Sequence, residues 1–333
     1  MKKCCIFLLA LSLLWAGCIP VQNTEPKQYN ATYLDLFDTV TTIIGTGVSE
    51  EQFRHDAKII YEQLLVYHRL FDIYHDYEGI SNLKTVNDQA GIAPVEVDPA
   101  IIDLLLDCKA YYELTGRKVN AAMGSVLRLW HEAREVGIKD PKNAKIPDTE
   151  KLLQAGMHTD FDKVVIDEKA STVYLSDPEM SLDVGAIAKG WAVQRIAENA
   201  PTGLLISVGG NVCATGPKED GSVWVVGVQN PDGGEYLRKI PITGGAVVTS
   251  GDYQRTYMVN GKQYHHIIDP ATGMPSTYWR SVTVVCDDSA LADALSTALF
   301  VLPLEEGKAL AEQCGAKVLW LDDEGKQYTT EEK

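Results

Sequence analysis

From Leu204 to Leu321 the sequence keeps returning to short β-rich runs, and that repetition limits the folds open to it. Strands are predicted at 204–208, 223–228, 246–250, 256–259, 282–286 and 317–321. Asn260-Gly261 is a tight hairpin signal, and the stretch "YHHII" after it continues as a strand. Runs this short, closed by turn residues, pair antiparallel; parallel pairing would need a long crossover for each. One helix, 289–301, interrupts them.

The first half differs. "YLDLFDTVTTIIGTG" alternates as one strand, whereas Phe53, Ala57, Ile60, Leu64 and Tyr67 recur at helical spacing. Further helices are predicted at 99–115, 121–136 and 183–199, with a polar loop at 137–147 and a hairpin in "KVVIDEKASTVYL". No linker or repeat divides the chain. The expectation is an α+β fold, a single large domain of mixed and antiparallel sheets flanked by helices.

The N-terminus reads differently again. "MKKCCIFLLALSLLWAGC" has two lysines, an apolar run too short for a membrane span, and small residues before Cys18. It is similar to a bacterial lipoprotein signal, with residues 1–17 removed, Cys18 lipidated and 18–30 serving as a tether. An ordinary signal peptide cut nearby is the alternative. Either reading exports residues 31–333, the functional domain. The formal charge of −16 argues against a nucleic-acid partner, yet allows a phosphate-bearing ligand held by a cation. Cys108, Cys213, Cys286 and Cys314 are widely spaced without a CxxC. They read as core residues, and an exported chain also allows one disulfide.

Several stretches carry candidate chemistry. In "DVGAIAKG", two glycines lead into a helix between Asp183 and Lys189, an arrangement open to a phosphate. It lacks P-loop spacing and reads equally as a helix capped by Asp183 with Lys189 in solvent. In "ADALSTALF", Asp293 and Thr297 share a helix face. A carboxylate and a hydroxyl suit a hard ion such as Mg²⁺, or simply a solvated polar stripe. In "HHIIDPATG", a histidine held by the Asp269-Pro270 turn can act as base or metal ligand, or only bond to that turn.

Taken in order, "DVGAIAKG", "VGGN", "TSGDY", "HIIDPATGMP" and "ADALSTALF" resemble the FAD:protein FMN transferase (ApbE-like) family, over about Tyr33 to Leu321. "YEGISNLKTVN" and "TGRKVNAAMGSVLRLW" match its more variable N-terminal half. The resemblance implies an exported enzyme, often a lipoprotein, with an FAD cleft between two halves. It implies nucleotide contacts from Phe37, Tyr74, Lys118, Val119, Asn120, Asp183, Lys189 and Ile267. It places Mg²⁺ on Asp293, Thr297 and the backbone oxygen of Ala186, and a catalytic role on His266 together with Asp293. His265, its neighbour, is expected to point to the other strand face and pack.

Three positions depart from the family pattern. "FDT" at Phe37–Thr39 stands for Met-Gly-Thr, Asn120 for an acid, and Ser296 for a second Asp before the threonine. The reaction implied is Mg²⁺-dependent transfer of FMN from FAD to a Ser or Thr hydroxyl of an exported redox protein, with AMP released. FAD pyrophosphatase activity at the same site, or a lipid-anchored flavin-binding protein without turnover, are the alternatives. The aromatic Tyr74 favours transfer, since hydrolytic family members carry another residue there.

Overall fold

The structure is a computed structural model that describes residues 27–47 and 49–330. The expected leader, Cys18 and most of the tether lie outside the described residues. Gln28, read as tether, already belongs to the first strand.

An eight-stranded antiparallel sheet is the frame. Its strands lie in space in their order along the chain: Gln28–Leu36, Thr39–Thr46, Leu204–Val208, Asn211–Ala214, Gly245–Gly251, Ser281–Cys286, Lys317–Leu321 and Gln327–Thr329. Alternation along the fifth strand shows the two faces. Ala246 and Val248 enter the main core, while Val247 joins Ala214, Trp224 and Ile242 in a smaller cluster behind the sheet. The hairpin of Trp224–Val228 and Arg238–Ile242 covers that second face.

Helices Glu50–Phe71, Ala188–Ala197 and Ser289–Phe300 contribute to the main core. The last is capped by Asp288, whose Oδ1 accepts the N–H groups of Ala290 (2.7 Å) and Leu291 (2.9 Å). That helix is buried on nearly all sides, so its polar residues Asp293 and Ser296 are carried inside. Of the two readings of this helix, the solvated stripe is not what forms. Helix Pro99–Leu114 and a three-stranded sheet, which includes the predicted 163–175 hairpin, bury into the same core, whereas helix Gly124–Lys139 packs with Tyr257 and Val259 in a separate cluster.

Several boundaries differ from expectation for local reasons. The run around Phe37 is two strands, because Phe37 and Asp38 adopt φ of 52° and 51° and close a tight hairpin. The 183–199 helix starts only at Ala188: Asp183 Oδ1 accepts the Gly185 N–H at 2.9 Å and holds a turn there. Asp183 is therefore not a helix cap. The strand through "YHHII" is interrupted after Tyr264, where the Ile267 N–H bonds to His265 Nδ1 (3.2 Å), and resumes at Ile268–Asp269 against Met274–Pro275. Helices Leu83–Asp88, Thr149–Gly156 and Leu304–Gln313 went unpredicted. All four described cysteines are free; Cys108 and Cys213 are buried and Cys286 and Cys314 half-buried.

Candidate active site

The Ser289–Phe300 helix forms the floor of a cavity, which Asp293 and Thr297 line, and packs behind it against the Ala188–Ala197 helix. There the Gly190 N–H donates to Asp293 Oδ2 at 2.8 Å. A β-carbon on Gly190 would stand 2.4 Å from both Asp293 Cβ and the Ser289 carbonyl, so only glycine permits this approach. Asp293 is 4% exposed, and burial raises its pKa. Lys189, the Gly190 N–H and the Asn211 amide oppose that shift. Lys189 Nζ lies 3.9 Å from Oδ2 and donates to the Gly185 carbonyl at 3.0 Å. Asn211, 2% exposed, stops short of a well-formed hydrogen bond through its Nδ2.

The two histidines diverge. His265 is buried; its Nε2 donates to the Ser276 carbonyl (2.8 Å), its Nδ1 accepts from Ile267, and its ring packs edge-on against Phe300. It borders the cavity as His266 does, but both of its nitrogens are engaged within the fold. His266 lines the cavity. Its Nδ1 lies 3.2 Å from the Gln254 carbonyl, and a carbonyl only accepts, so the proton sits on Nδ1 and Nε2 is the bare acceptor. The residue is half-buried. Burial, followed by Arg255, His265 and Lys189, depresses its pKa to about 3. The Asp-Pro turn does not orient it, contrary to expectation: Asp269 instead accepts the Ala271 N–H and faces Lys118 at 3.6 Å.

Of the other expected residues, Tyr74, Lys118, Asp183, Ala186, Ile267 and Thr297 all line the same cavity. Val119 and Asn120 line it as well, with qualifications. Val119 is 1% exposed, held by its N–H to Thr115 Oγ1 at 3.1 Å. Asn120 spends both ends of its amide on the fold, donating to the Thr159 carbonyl (2.8 Å) and accepting from the Ala122 N–H (2.9 Å). An aspartate could not make the first bond, which accounts for asparagine here. Phe37 is not in the cavity wall; its N–H donates to His68 Nδ1 at 3.1 Å in the hairpin turn. Lys189 sits behind the wall, against Asp293. Ser296 bonds to Ser250 Oγ (2.8 Å) and the Asp293 carbonyl (2.9 Å), so it braces the floor.

Sequence reasoning missed Trp130, His131, Arg134 and Arg255, which also line the cavity. Met123, Leu127, Trp130, His131 and Arg134 recur at helical spacing, a signal that could have found the first three. Arg255, at φ 47° in a loop, left no such pattern. With Lys118, these arginines put three cations on the cavity of a net acidic chain, a setting for phosphate groups. Tyr74 stacks on His131, ring centroids 5.1 Å apart.

The donor set also bears on a metal. Among the described residues no three His, Cys, Asp or Glu side chains gather. Asp293, Thr297 and the Ala186 carbonyl are oxygen donors on one cavity, with the carboxylate desolvated and only partly compensated by Lys189. Such a set fits a hard divalent cation that takes its remaining ligands from water and phosphate.

The ApbE family model matches residues 38–320. The chain belongs to the ApbE family. It is 30% identical over 278 residues to the FAD:protein FMN transferase of Klebsiella pneumoniae (strain 342), covering 81% of this chain and 84% of that one. It is 36% identical over 254 residues to the FAD:protein FMN transferase of Treponema pallidum (strain Nichols), covering 70% and 68%. The crystal structure of the ApbE protein from Thermotoga maritima superposes with a TM-score of 0.80 at 31% identity, covering 92% of this chain and 97% of that one. The α+β architecture with its large antiparallel sheet is thus the ApbE fold. The protein is an enzyme of flavin transfer, moving FMN from FAD to a protein acceptor.

Proposed function

We propose that FAD binds in the cavity bounded by Tyr74, Lys118, Asp183 and His266, and that a Ser or Thr hydroxyl of an exported redox protein accepts the FMN. The hydroxyl oxygen attacks the phosphorus on the FMN side. A new phosphoester bond forms as the bond to the bridging oxygen breaks, and AMP leaves with that oxygen. The hydroxyl proton passes to His266 Nε2. One observation carries this assignment: the Gln254 carbonyl fixes the His266 proton on Nδ1 and leaves Nε2 free on the cavity. A base so placed contributes about 10²–10⁴-fold.

Lys118, Arg134 and Arg255 are positioned to hold the pyrophosphate, whose negative charge would also lift the His266 pKa from its depressed value. Mg²⁺, when bound by Asp293, Thr297 and the Ala186 carbonyl, supplies neutralisation of the phosphate oxygens. Asp293 would be the carboxylate that holds the ion, with Gly190 and Lys189 fixing its position. Cys18 would carry the lipid that tethers the enzyme to the outer side of the membrane. This reading is supported by the basic and apolar leader before Ala16-Gly17-Cys18; among the described residues no helix is long and apolar enough to cross a membrane.

The test is product analysis with FAD and Mg²⁺, with and without an acceptor bearing an accessible threonine. AMP and FMN-modified protein should appear in equal amounts, with FAD little consumed when the acceptor is omitted. Free FMN released at the same rate with or without acceptor would point to hydrolysis instead.

A further inference from the structure

Asp72 ends the Glu50–Phe71 helix, and the transfer chemistry makes no use of it. Its side chain is 6% exposed, yet it collects four hydrogen bonds, all from the segment that follows. Oδ1 accepts the N–H groups of Tyr74 (2.6 Å) and His75 (3.2 Å). Oδ2 accepts the Tyr77 hydroxyl (2.8 Å) and faces His75 Nδ1 at 2.9 Å.

The connections extend further. The Tyr77 hydroxyl oxygen lies 3.4 Å from His68 Nε2, and His68 Nδ1 takes the Phe37 N–H. Because Phe37 donates to Nδ1, a neutral His68 carries its proton on Nε2 and donates to Tyr77, which donates on to Asp72. All donors run one way, from the hairpin turn at Phe37 to the carboxylate. Phe37, absent from the cavity wall, is tied through this relay to the segment bearing Tyr74.

Tyr74 is what the relay holds in place. The residue is 48% exposed and its ring rests on the His131 ring, 29° from parallel. His131 is in turn fixed by Arg134, whose guanidinium lies 3.1 Å from Nδ1. A half-exposed side chain of this kind takes its direction from its backbone, and the Tyr74 backbone is pinned by Asp72.

We infer that Asp72 is a positioning residue for substrate binding: it sets Tyr74 over His131 so that the phenol ring offers a stacking face to a planar ring of FAD. This rests on the assignment of the cavity to FAD. Either the isoalloxazine or the adenine ring could supply the plane, and FMN and ADP serve as separate probes for the two.

The experiment is a double-mutant cycle on the full chain, read as FAD affinity by quenching of flavin fluorescence. Tyr74→Ala and Asp72→Ala should each weaken FAD about tenfold, the scale of one ring stack. Asp72→Ala added to Tyr74→Ala should cost no more than about twofold further. Asp72→Asn keeps an acceptor for both N–H groups and should recover most of the affinity. The KM for FAD should rise with Asp72→Ala while kcat falls less than about threefold. Whichever of FMN and ADP also binds more weakly to Asp72→Ala names the stacked ring. If Asp72→Ala fails to fold, Tyr77→Phe, which removes one of the four bonds, enters the same cycle with a loss of about threefold. Equal weakening in both backgrounds, or none in either, overturns the inference alone. An unchanged FAD affinity in Tyr74→Ala overturns the assignment of the cavity as well.

Discussion

Gly190 and Asp293 meet across two helices, the glycine N–H donating to the carboxylate at 2.8 Å where no β-carbon fits. One contact thereby sets both the helix spacing and the aim of the buried acid. Gly190→Ala must push against the Ser289 carbonyl and Asp293 Cβ, neither of which is a flexible side-chain end. The expected cost is about 1–3 kcal/mol in urea unfolding, with metal-dependent activity lost alongside. Full stability and activity would show that the helices part freely.

Asp293→Ala should abolish Mg²⁺-dependent turnover while the fold persists, because it removes a buried charge whose own burial was unfavourable. Thr297→Val should weaken metal binding less, since a neutral oxygen contributes less than a carboxylate. Titration calorimetry with Mg²⁺ on both variants checks the ranking. Retained Mg²⁺ affinity in Asp293→Ala would misplace the metal site.

How much of this was legible beforehand divides along physical lines. The short strands and the helix bearing Asp293 and Thr297 follow from period and turn chemistry, which are local. Motif order pointed to Tyr74, Lys118, Asp183, His266 and Thr297 as one group, and all five line one cavity. What stayed hidden depends on contacts remote in sequence. The Gln254 carbonyl that fixes His266 and the Thr159 carbonyl that claims Asn120 leave no mark in the pattern. The Phe37 hairpin was missed because its two turn residues adopt positive φ without glycine or asparagine to announce it.

The depressed His266 pKa has a consequence for stability. Unfolded, its imidazole takes up a proton near its ordinary value of 6.5; folded, it resists until about pH 3. Between those values the unfolded state binds more protons, so stability falls as pH drops below about 6.5. The melting temperature of the wild type should decline from pH 7 to pH 5 more steeply than that of His266→Gln, which cannot titrate. Parallel declines would mean that the ring is protonated in the native state.

The most direct test compares the two neighbouring histidines by intact-protein mass spectrometry of a threonine-bearing acceptor incubated with FAD and Mg²⁺. His266→Ala should slow formation of the FMN adduct by about 10²–10⁴-fold while FAD still binds, because the lost group receives the proton. His265→Ala, which loses contacts to Ser276 and Phe300, should reduce the rate by less than about tenfold and act mainly on stability. Wild-type rates in His266→Ala, or a larger defect in His265→Ala at equal folded fraction, would contradict the assignment of His266 as the proton acceptor.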